Sequence, residues 1–161
     1  MGHSSLEWQS FEVFSLNRAR SRSGGKHMPS EFSIATERKI QAVNITSTCQ
    51  SLIGETRRGI AFFNILHTTA ALIICEDEPD LKDDIVRMAE RWLADLRPFR
   101  HGRYGAPNAE AHLTSAFAGT ALTIPIVAGK LLLGAWQCIL LLELDGPRQR
   151  KVVCTIIESQ D

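Results

Sequence analysis

Little in this sequence is in excess, and each shortage excludes something. Lys plus Arg number 18 and so do Asp plus Glu, so no net field draws the chain toward nucleic acid. The one basic cluster, residues 18–26, lies among Ser and Gly near the N-terminus. Long apolar runs are missing too. The longest, 131–142, is broken by Gly134 and Gln137 and falls short of the roughly 20 residues a membrane span needs. The N-terminal stretch lacks the continuous apolar segment of a signal peptide. Only 4 cysteines occur, Cys49, Cys75, Cys138 and Cys154, with no C-x-x-C pair among them. That spacing suits neither a zinc ribbon nor a disulfide framework, so they read as buried free thiols of a protein in the reducing cytoplasm.

What is present is an ordinary globular composition, 44% apolar and 22% charged. At 161 residues the chain suits one domain with a substantial core and is well short of the roughly 250 residues of a TIM barrel. Residues 1–28 mix Arg, Ser, Gly and His and end in Gly24-Gly25-Lys26-His27-Met28. They are expected to form a disordered leader, in part derived from an expression vector. The domain is expected to occupy 29–161.

Alternation at Phe32 and Ile34, then at Ile40, Val43 and Ile45, predicts two short strands, and Thr46 or Ser47 can cap a short helix closing at Gly54. Residues 59–66 and 70–75 are apolar runs separated by His67-Thr68-Thr69, which predicts two buried strands that pair as antiparallel neighbours. Leu81, Ile85, Met88, Trp92 and Leu96 have helical spacing, and Pro79 and Asp80 suit a first turn, so a long helix is expected over 79–96. Asn108 is placed to cap a shorter helix that stops at Gly119. Residues 122–127, 131–133, 136–144 and 150–157 read as strands, with turns at Ala128-Gly129 and Asp145-Gly146-Pro147, and Trp136 is assigned to the core. Strands outnumber helices and do not alternate regularly with them. The order predicts an α+β fold, mostly an antiparallel β-sandwich, with one long helix and one or two short ones.

Three histidines, His67, His101 and His112, fall where strands end, loops turn or helices begin, beside small or hydroxylated residues. Imidazole titrates nearest neutrality and in its neutral form ligates metals, although this spacing matches no standard zinc pattern such as H-E-x-x-H. Glu76 follows the 70–75 strand. A straight strand would hold His67 and Glu76 about 20 Å apart at roughly 3.3 Å per residue. A site using both therefore requires a bend or a meeting of two copies. Asp84, in the second turn of the long helix, can reach such a site or serve as a solvated charge near the helix N-terminus. Lys130 and Arg148 lie at glycine-containing turns and can hold an anion such as phosphate. Gln137 and Glu143, flanked by apolar residues, need partners if buried, since an unsatisfied polar group costs roughly 1 to 3 kcal/mol.

Taken in order along the chain, His67-Thr68-Thr69-Ala70-Ala71-Leu72, Glu76, Phe99-Arg100-His101, Asn108-Ala109-Glu110-Ala111-His112-Leu113, Gly129-Lys130-Leu131, Leu133-Gly134-Ala135-Trp136-Gln137 and Asp145-Gly146-Pro147-Arg148 resemble the YjbQ family, also called the UPF0047 or secondary thiamine-phosphate synthase family. The resemblance spans about residues 31–158. It implies a compact α+β domain built on a β-sandwich, and a homotrimer with sites at or near subunit interfaces, which would ease the separation of His67 and Glu76. It also implies a weak thiamine-phosphate synthase activity that joins hydroxymethylpyrimidine diphosphate to thiazole phosphate and releases pyrophosphate. On that reading His67, Glu76, Asp84 and His112 are the catalytic candidates, while Thr68, Thr69, Asn108, Lys130, Gln137 and Arg148 bind substrate and phosphate. A divalent metal, magnesium or zinc, would neutralise the leaving group, with His67, His101 and His112 as its candidate ligands. The expected partner is a small phosphorylated metabolite, with no nucleic acid and no membrane. Two other readings stay open: a metal-dependent hydrolase, and a non-catalytic trimer that binds a phosphorylated metabolite. Phe99 stands where many members of the family carry Tyr, and Cys75 replaces a common Asn before Glu76.

Overall fold

The computed structural model describes residues 29–103 and 105–159. The expected leader, with His3 and His27, lies outside the described residues. In chain order the elements are β1 (Ser30–Ala35), β2 (Gln41–Asn44), α1 (Thr46–Leu52), β3 (Arg58–Ile65), β4 (Ala70–Cys75), α2 (Pro79–Arg91), α3 (Ala109–Ala118), β5 (Ala121–Val127), β6 (Lys130–Leu131), β7 (Cys138–Glu143) and β8 (Gln149–Glu158). The strands form two sheets, ordered β1-β8-β3-β5-β6 and β2-β7-β4, and every pairing in them is antiparallel.

Period-two alternation decides what each sheet buries. Ala61, Phe63 and Ile65 of β3, Ile124 and Ile126 of β5, and Val152, Cys154 and Ile156 of β8 point inward and meet Leu72, Ile139 and Leu141 of the smaller sheet. The opposite face of that smaller sheet carries Ala71, Leu142 and Leu144, which pack on Ala89 of α2 and Ala111 of α3. The result is three layers, sheet on sheet with helices behind, as the α+β sandwich expectation requires. Because β7 is the central strand of the middle layer, both its faces are covered and its run 139–143 is buried throughout. Among the described residues no helix is long and apolar enough to cross a membrane.

Helix α2 starts as its sequence indicates: Glu78 accepts from the N–H groups of Asp80 (3.1 Å) and Leu81 (2.6 Å), and Pro79 fills the first position. It stops at Arg91, short of 96, with a single 3-10 turn at 94–96 following. Met88, Trp92 and Leu96 are exposed, so the buried stripe reduces to Ile85 and Ala89. Two further expectations need correcting. The strands expected over 131–133 and 136–144 are β6, only 130–131, and β7, which begins at Cys138; Trp136 lies in the loop between them and is 74% exposed, not core.

The second correction positions the site. β3 and β4 are not a hairpin, since β3 pairs with β5 and β8 while β4 pairs with β7 in the other sheet. A strand has two hydrogen-bonding edges, and β3 has already used both. The segment 66–69 therefore crosses from one layer to the other.

Candidate functional site

That crossing is tied down at both ends. The Leu66 N–H donates to the Lys151 carbonyl oxygen (3.0 Å), and the Leu144 N–H donates to the Thr69 carbonyl oxygen (3.2 Å). Between them the Lys151 backbone N–H donates to His67 Nε2 at 3.0 Å. A backbone N–H cannot accept, so Nε2 carries no proton and Nδ1 does. Partial burial lowers the His67 pKa, and Arg150, Arg148 and Lys151 lower it further against an opposing pull from Glu143. His67 is thus a neutral ring whose Nδ1–H has no protein partner among the described residues.

Beneath it lies a buried ion pair. Arg150 shares the inward phase of β8 with Val152, Cys154 and Ile156, and Glu143 shares that of β7 with Ile139 and Leu141; they are 1% and 0% exposed. The guanidinium is bidentate on the carboxylate, with Nε 2.7 Å from Oε2 and an amino nitrogen on Oε1. The same amino nitrogen donates to the Thr69 carbonyl (3.1 Å) and hydroxyl (3.0 Å) oxygens. Thr36 Oγ1 (2.8 Å) and the N–H groups of Leu144 (2.9 Å) and Asp145 (2.8 Å) donate to the Glu143 carboxylate. Burial raises the Glu143 pKa, but these donors, Arg150 foremost, outweigh it and hold the carboxyl below the usual carboxylate range. Charges this deep persist because they are paired with each other and further hydrogen-bonded. The pair fastens β4, β7 and β8 under the crossing.

The rim comes from the turn after β7 and the start of α3. Gly146 is required in this turn, because a Cβ there would collide with the Arg38 carbonyl oxygen. Arg148 donates from Nε to the Asp145 carbonyl oxygen (2.7 Å) and from an amino nitrogen to Oδ2 (2.8 Å). Asn108 Nδ2 donates to the same Oδ2 (3.0 Å). Burial raises the Asp145 pKa, and the bonds from Asn108 and Arg148 more than reverse this. With its amide nitrogen spent on Asp145, Asn108 offers only Oδ1 to His101, so His101 Nε2 is the donor in that 3.1 Å bond. The His101 and His112 rings stand edge to face, 5.0 Å between centroids. Asn108 does occupy the N-cap position of α3, yet its side chain makes no capping bond because both its ends face the rim.

Between crossing and rim opens a cleft of about 910 Å³, lined by His67, Thr68, Thr69, Asn108, His112, Arg148 and Arg150 among others. His101 reaches it through Asn108. The remaining candidates lie elsewhere on this chain. Glu76 follows the far end of β4, Gln137 precedes the far end of β7, and Lys130 pairs with Val127 at the far end of β5. The Gln137 side chain accepts from the Gly134 N–H (2.7 Å) in an exposed loop. Asp84 projects from α2 with its side chain 63% exposed and pairs with Arg87 at 3.3 Å.

Of the three histidines expected to hold a metal, His67 has Nε2 taken by the Lys151 N–H, whereas His101, donating from Nε2 to Asn108, keeps Nδ1 as an acceptor. Among the described residues no three His, Cys, Asp or Glu side chains stand together as a ligand set. Sequence reasoning passed over Arg150, Thr36 and the pairing role of Asp145. One signal was there to use: Arg150, Val152, Cys154 and Ile156 share one parity, which puts an arginine on a buried strand face.

Fold and site together define a three-layer antiparallel sandwich with an open polar cleft at one end. The sequence model of the family described as UPF0047 protein YjbQ-like matches residues 30–159. The chain belongs to that family. It is 37% identical over 123 residues to a UPF0047 protein of Archaeoglobus fulgidus, covering 76% of this chain and 96% of that one. To UPF0047 protein YugU of Bacillus subtilis it is 33% identical over 122 residues, 73% of this chain and 89% of that one. Among solved structures, a hypothetical protein of Aeropyrum pernix K1 superposes with TM-score 0.78 at 33% identity, covering 83% of this chain and 100% of that one. A YbjQ-like protein of unknown function from Sulfolobus solfataricus P2 gives TM-score 0.77 at 31% identity, covering 82% and 97%.

Proposed function

We propose that the cleft binds a small phosphorylated metabolite and that the chain catalyses, at a low rate, the reaction the family resemblance implies: hydroxymethylpyrimidine diphosphate and thiazole phosphate joined to thiamine phosphate. The observation that carries this reading is the neutral His67 ring, its Nδ1–H unpartnered, beside Arg148 and Arg150. Burial is the largest cause of the lowered His67 pKa and favours no charge of either sign, but the cations that add to it, Arg150, Arg148 and Lys151, favour an anion at that point.

The chemistry suits such a cleft. The thiazole nitrogen attacks the pyrimidine methylene carbon as the C–O bond to diphosphate breaks, and the electron pair of that bond leaves with pyrophosphate. No proton need move, so the demand on the protein is charge stabilisation and orientation. His67 Nδ1–H, the Thr68 and Thr69 hydroxyls and the Arg148 guanidinium are the donors for the leaving group. Arg150, with Nε and one amino nitrogen committed to Glu143 and Thr69, adds positive field from beneath the cleft. Asn108 steadies Arg148 through Asp145, and His112 lines the cleft wall. The proposal includes a homotrimer: Glu76, Asp84, Lys130 and Gln137 would take part from a neighbouring copy.

Incubation of the purified protein with both substrates tests this, with thiamine phosphate followed by chromatography. Product is expected from the wild type and not from His67→Ala or Arg148→Ala. No product, together with no shift of the His67 ring resonances on adding pyrophosphate, would sink the reading. Binding without turnover would favour the non-catalytic metabolite binder.

A further inference from the structure

We propose that Cys75 and Cys138, at the other end of the molecule, form a reversible dithiol–disulfide site. The two residues are direct partners in the β4–β7 ladder, Cys75 the last residue of one strand and Cys138 the first of the other. Directly opposed residues in an antiparallel pair project to the same face. Here it is the helix-facing side that carries Ala71 and Leu142, and beyond the helices both cysteines are half-exposed.

Their spacing follows from neighbouring bonds. Ile139 accepts from the Ile45 N–H and donates to Thr46 Oγ1, each at 2.9 Å, so its backbone groups point away from β4. On a central antiparallel strand the next residue points the opposite way, which makes Cys75 and Cys138 a hydrogen-bonded pair with Cα atoms about 5.5 Å apart. That lies within the roughly 4.4 to 6.8 Å that a disulfide spans. The Cβ atoms of such a pair stand about 5 Å apart, wider than the roughly 3.5 to 4.5 Å a relaxed bridge prefers. Closure must draw two strand ends together, and a bridge formed under such strain is readily reduced.

The other two cysteines provide an internal contrast. Cys49 and Cys154 are 0% and 1% exposed, and burial pushes their thiols up to about 12 and about 11. They lack both the access and the thiolate that exchange requires.

The oxidant is a low-molecular-weight disulfide. The thiolate of one cysteine attacks it and expels one small thiolate, leaving a mixed disulfide on the protein. The second cysteine thiolate then attacks the protein-bound sulfur and expels the other. Two electrons pass from the protein to the small disulfide, and the two protons end on the two small thiols released. Within one chain the cleft lies beyond the opposite rung, Ala70 with Glu143, and although the proposed trimer would bring Glu76 and Gln137 beside the two cysteines to a neighbour's cleft, the test below reads the bridge itself and not turnover.

Oxidised glutathione added to the folded protein, followed by alkylation and peptide mass mapping, tests it. The expected product is one intramolecular Cys75–Cys138 bridge per chain, with Cys49 and Cys154 still alkylatable after unfolding and full reversal by dithiothreitol. Cys75→Ser and Cys138→Ser should each retain one glutathione on the remaining thiol and form no internal bridge. Four intact thiols in the treated wild type, separate glutathione on each cysteine without closure, or a bridge between chains would each overturn the proposal.

Discussion

The Lys151 backbone N–H reaches His67 Nε2 at 3.0 Å, and in doing so finishes a sheet ladder with a side chain. Ile65 pairs with Val152, so the next rung would match Leu66 with Lys151. Leu66 does donate to the Lys151 carbonyl oxygen, but the chain then leaves for the other sheet, and the imidazole supplies the acceptor in the return bond. One interaction thereby sets the crossing, the tautomer and the direction in which Nδ1–H is presented.

His67 should titrate below the ordinary 6.5, with Nδ1–H the neutral tautomer, both readable from ring nitrogen chemical shifts. The unfolded chain takes up this proton at higher pH than the folded one. Its contribution to stability is therefore present above 6.5, declines as pH falls below that value, and levels off beneath the folded pKa. Urea midpoints measured on both sides of 6.5 should show this slope, and it should be smaller in His67→Gln, whose amide oxygen can still accept from Lys151.

Glu143→Gln should destabilise the fold by about 3 to 5 kcal/mol, because it leaves the Arg150 guanidinium buried without a counter-charge. The double change Glu143→Leu with Arg150→Met should recover most of the loss. In the wild type the Glu143 carboxyl is held below its ordinary 4.5. The stability it supplies is complete above 4.5 and is lost as pH falls through the folded value. Chemical denaturation of the three proteins checks the ordering, and a milder loss in the single variant than in the double would refute it.

Asn108→Ala should leave helix content unchanged by circular dichroism, since the side chain makes no capping bond. Losing its bonds to Asp145 and His101 should cost about 1 kcal/mol of stability. Pyrophosphate affinity by calorimetry should fall on the order of tenfold, about 1.4 kcal/mol, as Asp145, and through it Arg148, is held less firmly. Asn108→Asp should be worse, because it sets a second carboxylate against Asp145.

Thr114 is 2% exposed, and its hydroxyl has no hydrogen-bond partner among the described residues. Thr114→Val preserves the shape and removes the orphaned group, so stability should be unchanged or rise by up to about 1 kcal/mol. A clear fall in the denaturation midpoint would mean that the hydroxyl is satisfied from the polar cavity it shares with Asn108 and Asp145.

The sequence by itself determined the elements whose signal is carried by near neighbours. The alternation of 59–65 and 150–156, the spacing and Pro79 start of α2, and the Ala128-Gly129 turn all follow from local sterics and from which side chains share a face. The ordered motifs were enough to identify the family. Only the tertiary structure decided that β3 and β4 lie in different layers, since that depends on β5 and β8, remote in sequence, occupying both edges of β3. The same holds for the site. The strand length already set Glu76 apart from His67, but that Thr69, Asn108 and Arg148 join His67 at one end while Lys130 and Gln137 fall at the other depends on how the strands are laid side by side, which motif order along a chain does not record. Arg150 and Glu143 each look misplaced among apolar neighbours, and only the packing of one sheet on the other makes each the partner that permits the other's burial.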